Sequence, residues 1–161
     1  MDPGKSLWAA VVLPIVLGLV AAVAMAETSG SVQDPASATK DKIRMVPLTI
    51  GHKSIRAVLA DTEALRVQGL LGWDRITDDT GMLLDFKMEG TYAIHMQGMK
   101  FPIDAIWVDS KGVIKVIYEA IPPNSGQIYP ALFPCRYCLE VKAGFCKGYG
   151  VKIGSLMQFG P

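Results

Sequence analysis

DAIWVDSKGVIKVIYEA, residues 104–120, decides the fold because it carries the clearest structural signal in the chain. Two runs rich in β-branched and aliphatic residues flank the tetrapeptide DSKG at positions 109–112. Aspartate commonly opens a tight turn by accepting backbone hydrogen bonds, and glycine adopts the positive φ that closes one. The stretch therefore predicts a β-hairpin.

The same pattern continues on both sides of the hairpin. Short apolar runs recur between glycine, proline and polar residues, as is typical of strands joined by turns. The other predicted strands are MVPLTIG (45–51), SIRAVLAD (54–61), GMLLDF (81–86), TYAIHM (91–96), YCLEVKAG (137–144) and VKIGSLMQF (151–159). Together with the hairpin they amount to about seven or eight short strands.

One helix is predicted within DTEALRVQGLLGW, residues 61–73. Asp61 or Thr62 can cap its N-terminus, Glu63 places an acid in the first turn, and Gly69 stops it. The later segment FCKGYG, residues 145–150, has room for a single helical turn at most. The predicted fold class is mainly β (α+β): a compact small β-barrel or sandwich with one short helix.

The N-terminus has the features of an export signal. Residues 7–24 are almost wholly apolar, follow a lone Lys5 and end in Ala24-Met25-Ala26, a small-residue cleavage pattern. We expect a signal peptide over residues 1–26, a flexible polar linker over 27–42 and a single β-rich domain over 43–161. An uncleaved membrane anchor is the alternative. A lipoprotein anchor is not expected, because the first cysteine is Cys135.

The charge balance limits the partners. The net charge is +1, so there is no strong field to attract nucleic acid or anionic lipid. We expect no nucleic acid as a partner, and membrane contact only through the N-terminal segment if it is retained. The expected localisation is periplasmic or extracellular, and the remaining partners are an unknown small molecule, a glycan or an envelope protein.

Several blocks resemble a known family. In order, they are VLADTEALRVQGLLGW, GMLLDF, HMQGMKFPIDAIWVDSKGVI, LEVKAG and GVKIGSLM. Over about residues 56–158 the chain resembles the domain of unknown function 192 family, also called the uncharacterised protein family 0127. The resemblance implies a small β-rich fold, frequent export and no established biochemical activity.

The sequence departs from the family pattern at three polar positions. Leu71-Gly72-Trp73 stands where the family carries an arginine, His95-Met96-Gln97-Gly98-Met99 replaces Trp-Met-Lys-Asn-Thr, and Gly154-Ser155 replaces Gly-Asp. A family site that used that arginine, asparagine and aspartate would be missing here. The residues that match the pattern are Asp61, Gly69, Gly81, Met82, Met96, Pro102, Asp104, Glu140 and Gly144.

A soft-metal site is one interpretation of residues 95–99. His95, Met96 and Met99 are ligands that suit copper(I) in an oxidising compartment. On a strand, however, His95 and Met96 point to opposite faces. Core packing is the simpler explanation of Met82, Met88, Met96 and Met157.

Three cysteines form a second candidate cluster. Cys135 and Cys138 have C-x-x-C spacing, but they follow Pro134 and lead into a strand rather than starting a helix, as redox pairs do. A structural disulfide is expected in an exported protein, with Cys138–Cys146 as the preferred pairing and the others left open.

The carboxylates admit two interpretations. A hydrolase-like enzyme would gather Asp104, Glu140 and His95 in one cleft as acid, base or ligand-orienting groups. The structural alternative has Asp104 binding turn amides, Asp61 capping the helix and Glu140 solvated on the outer face of its sheet. The sequence contains no Ser-His-Asp spacing, nucleophile elbow, phosphate loop or paired metal motif, so an enzyme is not favoured.

Aromatic residues favour binding over chemistry. Trp73 and Tyr129 are the two for which we expect some exposure, beside a rigid polar loop that would suit a sugar or peptide. The predicted function is therefore a non-catalytic binding or accessory module of the cell envelope without a cofactor. Its candidate site residues are Asp61, Trp73, His95, Asp104, Tyr129 and Glu140.

Overall fold

A computed structural model describes residues 44–160, so the predicted signal peptide and linker lie outside the described residues. Nine strands and two short helices follow one another along the chain. They are β1 Met45–Ile50, β2 Lys53–Ala60, α1 Glu63–Gln68, β3 Thr80–Gly90, β4 Ala93–His95, β5 Ile103–Val108, β6 Ile114–Ile121, β7 Ile128–Pro130, β8 Cys135–Lys142, α2 Phe145–Tyr149 and β9 Met157–Phe159. Neither helix is long and apolar enough to cross a membrane.

Seven of the strands form one sheet in the order β6-β5-β8-β3-β2-β1-β9, which curls into a half-barrel. Strands β4 and β7 form a separate small sheet. The predicted mainly β fold is confirmed, with two additions. Strand β7 lies in a segment expected to be loop, and the segment expected to form one helical turn at most forms helix α2, because Gly144 and Gly150 flank it in left-handed conformations.

The predicted hairpin is confirmed as β5 and β6, which pair antiparallel. Asp109 Oδ1 accepts hydrogen bonds from the backbone N–H groups of Lys111 at 2.9 Å and Val113 at 2.8 Å. Gly112 has a φ of +83°, and a Cβ there would lie 2.6 Å from the Met157 carbonyl oxygen. Glycine is therefore required both by the turn and by the close approach of β9.

Both faces of the central sheet are buried. All six residues of β5 are buried, and alternation divides them between two hydrophobic clusters. One face, called the Trp107 face, also carries Met82 and Cys138. The other, called the Ile106 face, also carries Leu139.

Strands β2 and β3 run parallel, so the chain must cross over the sheet between them. Helix α1 lies in this crossover, residues 61–79. Thr62 caps it, with Oγ1 accepting a hydrogen bond from the Leu65 N–H at 3.3 Å. The helix ends at Gly69, as predicted, and Leu65 packs against the core of the Trp107 face.

The predicted disulfide is wrong. Cys135, Cys138 and Cys146 are all free and buried. Cys138 belongs to the core of the Trp107 face, whereas Cys146, which follows in α2, belongs to the core of the Ile106 face. The sheet therefore separates the two thiols. Burial raises the pKa of Cys135 to about 11, which makes it a poor nucleophile at neutral pH.

Candidate functional site

A pocket of about 370 Å³ lies between α1 and the Trp107 face. Its walls are mainly apolar, because the turn after α1, the middle of β3 and the segment around β4 all present apolar side chains to it. These apolar residues are Leu70, Leu71, Leu84, Phe86, Ile94, Met96 and Met99. The polar side chains that line it are Glu63, Arg66, Gln68, His95, Gln97 and Glu140.

Glu140 is the buried acid of the pocket. It pairs in register with Ala105 of β5 and Met82 of β3, so it projects from the Trp107 face in the middle of the sheet. Its carboxylate oxygen Oε2 lies 4.0 Å from the position that a Cβ on Gly69 would occupy. Glu140 is only 7% exposed. The expectation that it is solvated on an outer face is therefore wrong.

The environment of Glu140 favours its neutral form. Burial raises its pKa to about 7 and is the sole cause of the shift, since no charged group of the described residues offsets it. An ionised carboxylate without a partner is costly in such surroundings. Glu140 is thus a carboxyl group poised near neutral pH at the wall of an apolar pocket.

Arg66 lines the same pocket, and its guanidinium contacts the backbone and an aromatic ring. Its Nη1 donates a hydrogen bond to the Asp85 carbonyl oxygen at 2.9 Å. Its guanidinium carbon lies 5.4 Å from the centre of the Phe86 ring, in a cation–π arrangement. These contacts hold Arg66 along the wall of the pocket.

The residues proposed as copper ligands all line the pocket but differ in burial. His95 ends β4 and is exposed, whereas Met96 and Met99 are buried in the core of the Trp107 face. A turn joins the two methionines, with the Met99 N–H donating to the Met96 carbonyl at 3.2 Å. Asn124 fixes the turn by accepting from the Gly98 N–H at 2.9 Å.

The other predictions concern metal-binding clusters and the packing of the methionines. Residues 44–160 contain no cluster of three or more His, Cys, Asp or Glu side chains arranged for a metal ion. Met82, Met96 and Met157 are buried, as core packing predicts, but Met88 is 72% exposed and does not fill the core.

Asp104 lies on the opposite side of the sheet from the pocket. It is fully buried and accepts three backbone hydrogen bonds, from Ala120 at 2.8 Å, Gly144 at 3.1 Å and Cys146 at 2.9 Å. Its predicted role in binding turn amides is confirmed. The predicted catalytic set is not assembled, because Glu140 and His95 line the pocket and Asp104 does not.

Comparison with protein families matches residues 46–159 to the model of the domain of unknown function 192 family, DUF192, described as "Uncharacterized ACR". The chain belongs to this family. Two of the segments at which its sequence departs from the family pattern, 71–73 and 95–99, contribute residues to the pocket of this DUF192 domain. No curated protein matches the chain.

Two solved structures have a similar fold. One, from Sinorhizobium meliloti, is described as a "putative transcription regulator"; it is 27% identical, with a TM-score of 0.70 over 73% of this chain and 95% of that one. The other, a protein of unknown function from Novosphingobium aromaticivorans, is 23% identical, with a TM-score of 0.69 over 84% of this chain and 99% of that one. The second shows a shared fold alone.

The remaining predicted site residues lie away from the pocket of the DUF192 domain. Asp61 does not cap α1 and instead forms ion pairs with Arg44 at 2.8 Å and Lys87 at 3.2 Å. Tyr129 is only 8% exposed, and its hydroxyl lies 2.7 Å from Ser125 Oγ. The expected exposure of Tyr129 is therefore wrong.

Trp73 is half-buried and packs against the core of the Trp107 face, outside the pocket lining. The expected aromatic platform of Trp73 and Tyr129 is not formed.

Three structural features of the DUF192 domain could not be predicted from the sequence. Arg66 and Phe86 were not recognised as pocket residues, because no local pattern brings a helix over a distant strand. Asp85 is 6% exposed and forms a bidentate ion pair with Arg136, at 3.0 and 3.2 Å. Its position after Met82-Leu83-Leu84 in a buried strand was the one available signal.

Proposed function

We propose that this DUF192 domain is a non-catalytic binding module that takes up a small molecule in the pocket beside Glu140, and that it acts in the cell envelope after export. The observation that carries the binding proposal is an apolar pocket of about 370 Å³ with one buried, unpaired carboxyl group. Ligand sites in proteins typically combine apolar walls of this size with a few well-placed polar groups.

The distribution of ionisable groups supports binding rather than catalysis. General acid–base chemistry needs groups within reach of the same reacting atoms. Asp104 already accepts three backbone hydrogen bonds on the Ile106 face, which leaves Glu140 and His95 without a second carboxylate from the predicted set. The hydrolase interpretation therefore has less support than the binding interpretation.

Copper handling is a second candidate, because His95, Met96 and Met99 all line one pocket. Thioether and imidazole ligands suit copper(I). The test is metal analysis of the protein after growth in copper-supplemented medium. Stoichiometric copper that is lost in Met96→Leu would support this candidate, and copper near zero would eliminate it.

Export rests on the apolar run at 7–24 and the Ala24-Met25-Ala26 triplet. Determination of the mature N-terminus tests it, with residue 27 expected as the first residue. Detection of the intact N-terminus in a membrane fraction would instead support an anchor.

Nucleic acid is not proposed as a partner of this chain, although one structural neighbour is described as a "putative transcription regulator". The net charge of +1 provides little of the phosphate attraction on which DNA binding depends.

The binding proposal is tested by closing the pocket. Ala93 is exposed and lines the pocket, so Ala93→Phe adds a ring to it without overpacking the core. Ala64 is exposed on α1 and does not line it, so Ala64→Phe is the matched control. The measurement is protein-observed NMR with a mixed fragment set, followed at the methyl groups of Ile94 and Met96.

We expect fragments to shift these methyl signals in the wild-type protein and in Ala64→Phe, but not in Ala93→Phe. If no fragment shifts them, or if Ala93→Phe binds as well as the wild type, the pocket is not the binding site and the proposal fails.

A further inference from the structure

We propose that the pocket selects organic amines, with the ammonium group of the ligand paired to the Glu140 carboxylate and its apolar body lying against Phe86 and Ile94. This inference rests on the proposed binding function and names the class of ligand. It follows from the one polar group of the pocket wall that is deeply buried and has no charged partner of its own.

The first step is that the buried Glu140 carboxyl group has no positively charged partner among the described residues. It is 93% shielded from solvent, since only 7% of its surface is exposed, and burial alone acts on its ionisation among the described groups. Burial of a carboxylate is favourable only when an opposite charge or donors accompany it. A bound ammonium group supplies both a positive charge and up to three hydrogen-bond donors.

The second step concerns the other charges that face the pocket. From α1, Glu63 adds an exposed carboxylate at the rim, and Arg66 is held by the Asp85 carbonyl and the Phe86 ring. From β4, His95 is exposed at the mouth. An anionic ligand would meet the carboxyl groups of Glu63 and Glu140. A cationic ligand would instead supply the positive charge that Glu140 lacks.

The third step concerns the strand that carries Glu140. The Cys138 thiol is near enough to interact electrostatically with Glu140, but burial and its neighbours raise the Cys138 pKa, so it remains neutral. The two cations of β8 are already paired, Arg136 with Asp85 at 3.0 Å and Lys142 with Asp78 at 3.2 Å. Binding of an amine should favour ionisation of Glu140 and release a proton wherever the empty site is protonated.

The apolar walls determine which chemical groups can form the body of the ligand. Ile94 and Met96 offer branched and thioether surfaces. Phe86 offers the edge of its ring, because the Arg66 guanidinium lies over the ring and Tyr92 stacks on it with centroids 4.0 Å apart. A compact aromatic or branched aliphatic body would remove this surface from water. A polyhydroxylated sugar would leave its hydroxyl groups opposite apolar walls, so it is disfavoured.

The experiment uses three probes of similar shape on the purified protein: 2-phenylethylamine, 2-phenylethanol and 3-phenylpropanoate. Dissociation constants are measured by calorimetry at pH 8 and pH 5.5. We expect the amine to bind at least about tenfold more tightly than the alcohol at pH 8, as desolvated charge pairs do. The preference should shrink at pH 5.5, where Glu140 holds its proton.

Two variants locate the effect. Glu140→Gln keeps the shape of the protonated acid, and we expect it to remove the preference for the amine while the alcohol binds as before. Glu119→Gln makes the same change in charge at an exposed residue outside the pocket and should retain the preference.

The outcomes separate the two proposals. Equal binding of the amine and the alcohol, lost for both in Ala93→Phe, would overturn the amine inference and leave the binding function intact. An amine preference that survives in Glu140→Gln would also overturn the inference. Failure of all three probes to bind would count against the binding function itself.

Discussion

Asp104 and Glu140 lie on the adjacent strands β5 and β8, one position apart in register, yet they project from opposite faces of the sheet. The residue paired with Glu140 is Ala105, so Asp104 points the other way. Asp104 accepts three backbone hydrogen bonds. Glu140 has no charged partner among the described residues. Two neighbouring acids thus have different roles, one structural and one available to a ligand.

Asp104 should be essential for stability. We expect Asp104→Asn to lower the free energy of unfolding by roughly 2–4 kcal/mol, because charge-assisted hydrogen bonds are lost and an amide N–H₂ faces backbone donors. Urea denaturation measures the effect, with Glu119→Gln as a neutralised control at an exposed acid. A change below that of the control would mean that the three amides do not depend on the carboxylate.

Glu140 should make stability depend on pH in an unusual direction. Its pKa is about 7 in the folded protein and near 4.5 when unfolded, so the folded state binds the extra proton between these values. Stability therefore falls as pH rises from about 4.5 to 7, by about 3 kcal/mol in total. Glu140→Gln should remove this loss and be more stable than the wild type at pH 8.

The measurement for Glu140 is the free energy of unfolding of both proteins at pH 4, 6 and 8. The two curves should converge at pH 4 and diverge above it. Parallel curves would contradict the raised pKa of Glu140.

Asp85 should make stability fall as pH decreases, which is the opposite of the effect of Glu140. Burial alone would raise the pKa of Asp85, but hydrogen bonds from Arg136 and Lys87 outweigh it, so the pKa is lowered. The stability that this provides is complete above pH 3.8 and is lost as pH falls through the folded pKa. We expect Asp85→Asn to cost about 2 kcal/mol at pH 7, because it leaves a partly buried arginine unpaired.

The control for Asp85→Asn is Asp74→Asn. Asp74 pairs with Lys100 at 2.6 Å, but its side chain is 86% exposed, and exposed pairs contribute little. Thermal or urea denaturation should show no measurable change for Asp74→Asn. Equal effects of the two substitutions would show that burial of the Asp85–Arg136 pair has no energetic consequence.

The requirement for glycine at position 112 of the hairpin can be tested with Gly72 as a matched control. Their φ angles are +83° and +86°, but a Cβ at Gly112 would approach the Met157 carbonyl to 2.6 Å, whereas nothing lies within 4 Å of one at Gly72. We expect Gly72→Ala to cost about 1 kcal/mol from the positive φ alone. Gly112→Ala should cost at least twice as much, and equal losses in urea denaturation would contradict this role of β9.

The local elements were predictable because short-range chemistry determines them. The hairpin follows from Asp109 and Gly112, and helix α1 from Thr62 and Gly69, since caps and turns act within a few residues. The extent of burial was harder to predict, because CRYCLEVK carries Arg136, Glu140 and Lys142 and yet lies inside the seven-stranded sheet with most of its residues buried.

The site was harder to predict because it depends on strand neighbours. The sequence does not state that β5 lies beside β8, so it could not reveal that Asp104 and Glu140 face apart. The same uncertainty explains why the predicted Cys138–Cys146 disulfide is wrong, since two cysteines close in sequence lie on opposite sides of the sheet. Glu140 resembles a solvated strand residue until both of its flanking strands are known.

The parallel pairing of β2 and β3 has a consequence for how such pockets diversify. Because two strands that point the same way cannot be joined by a short turn, the chain supplies a separate segment, residues 61–79, that takes no part in the ladders of the sheet except at its ends. Exchange of this segment between relatives would transplant one wall of the binding cavity while the scaffold stayed unchanged.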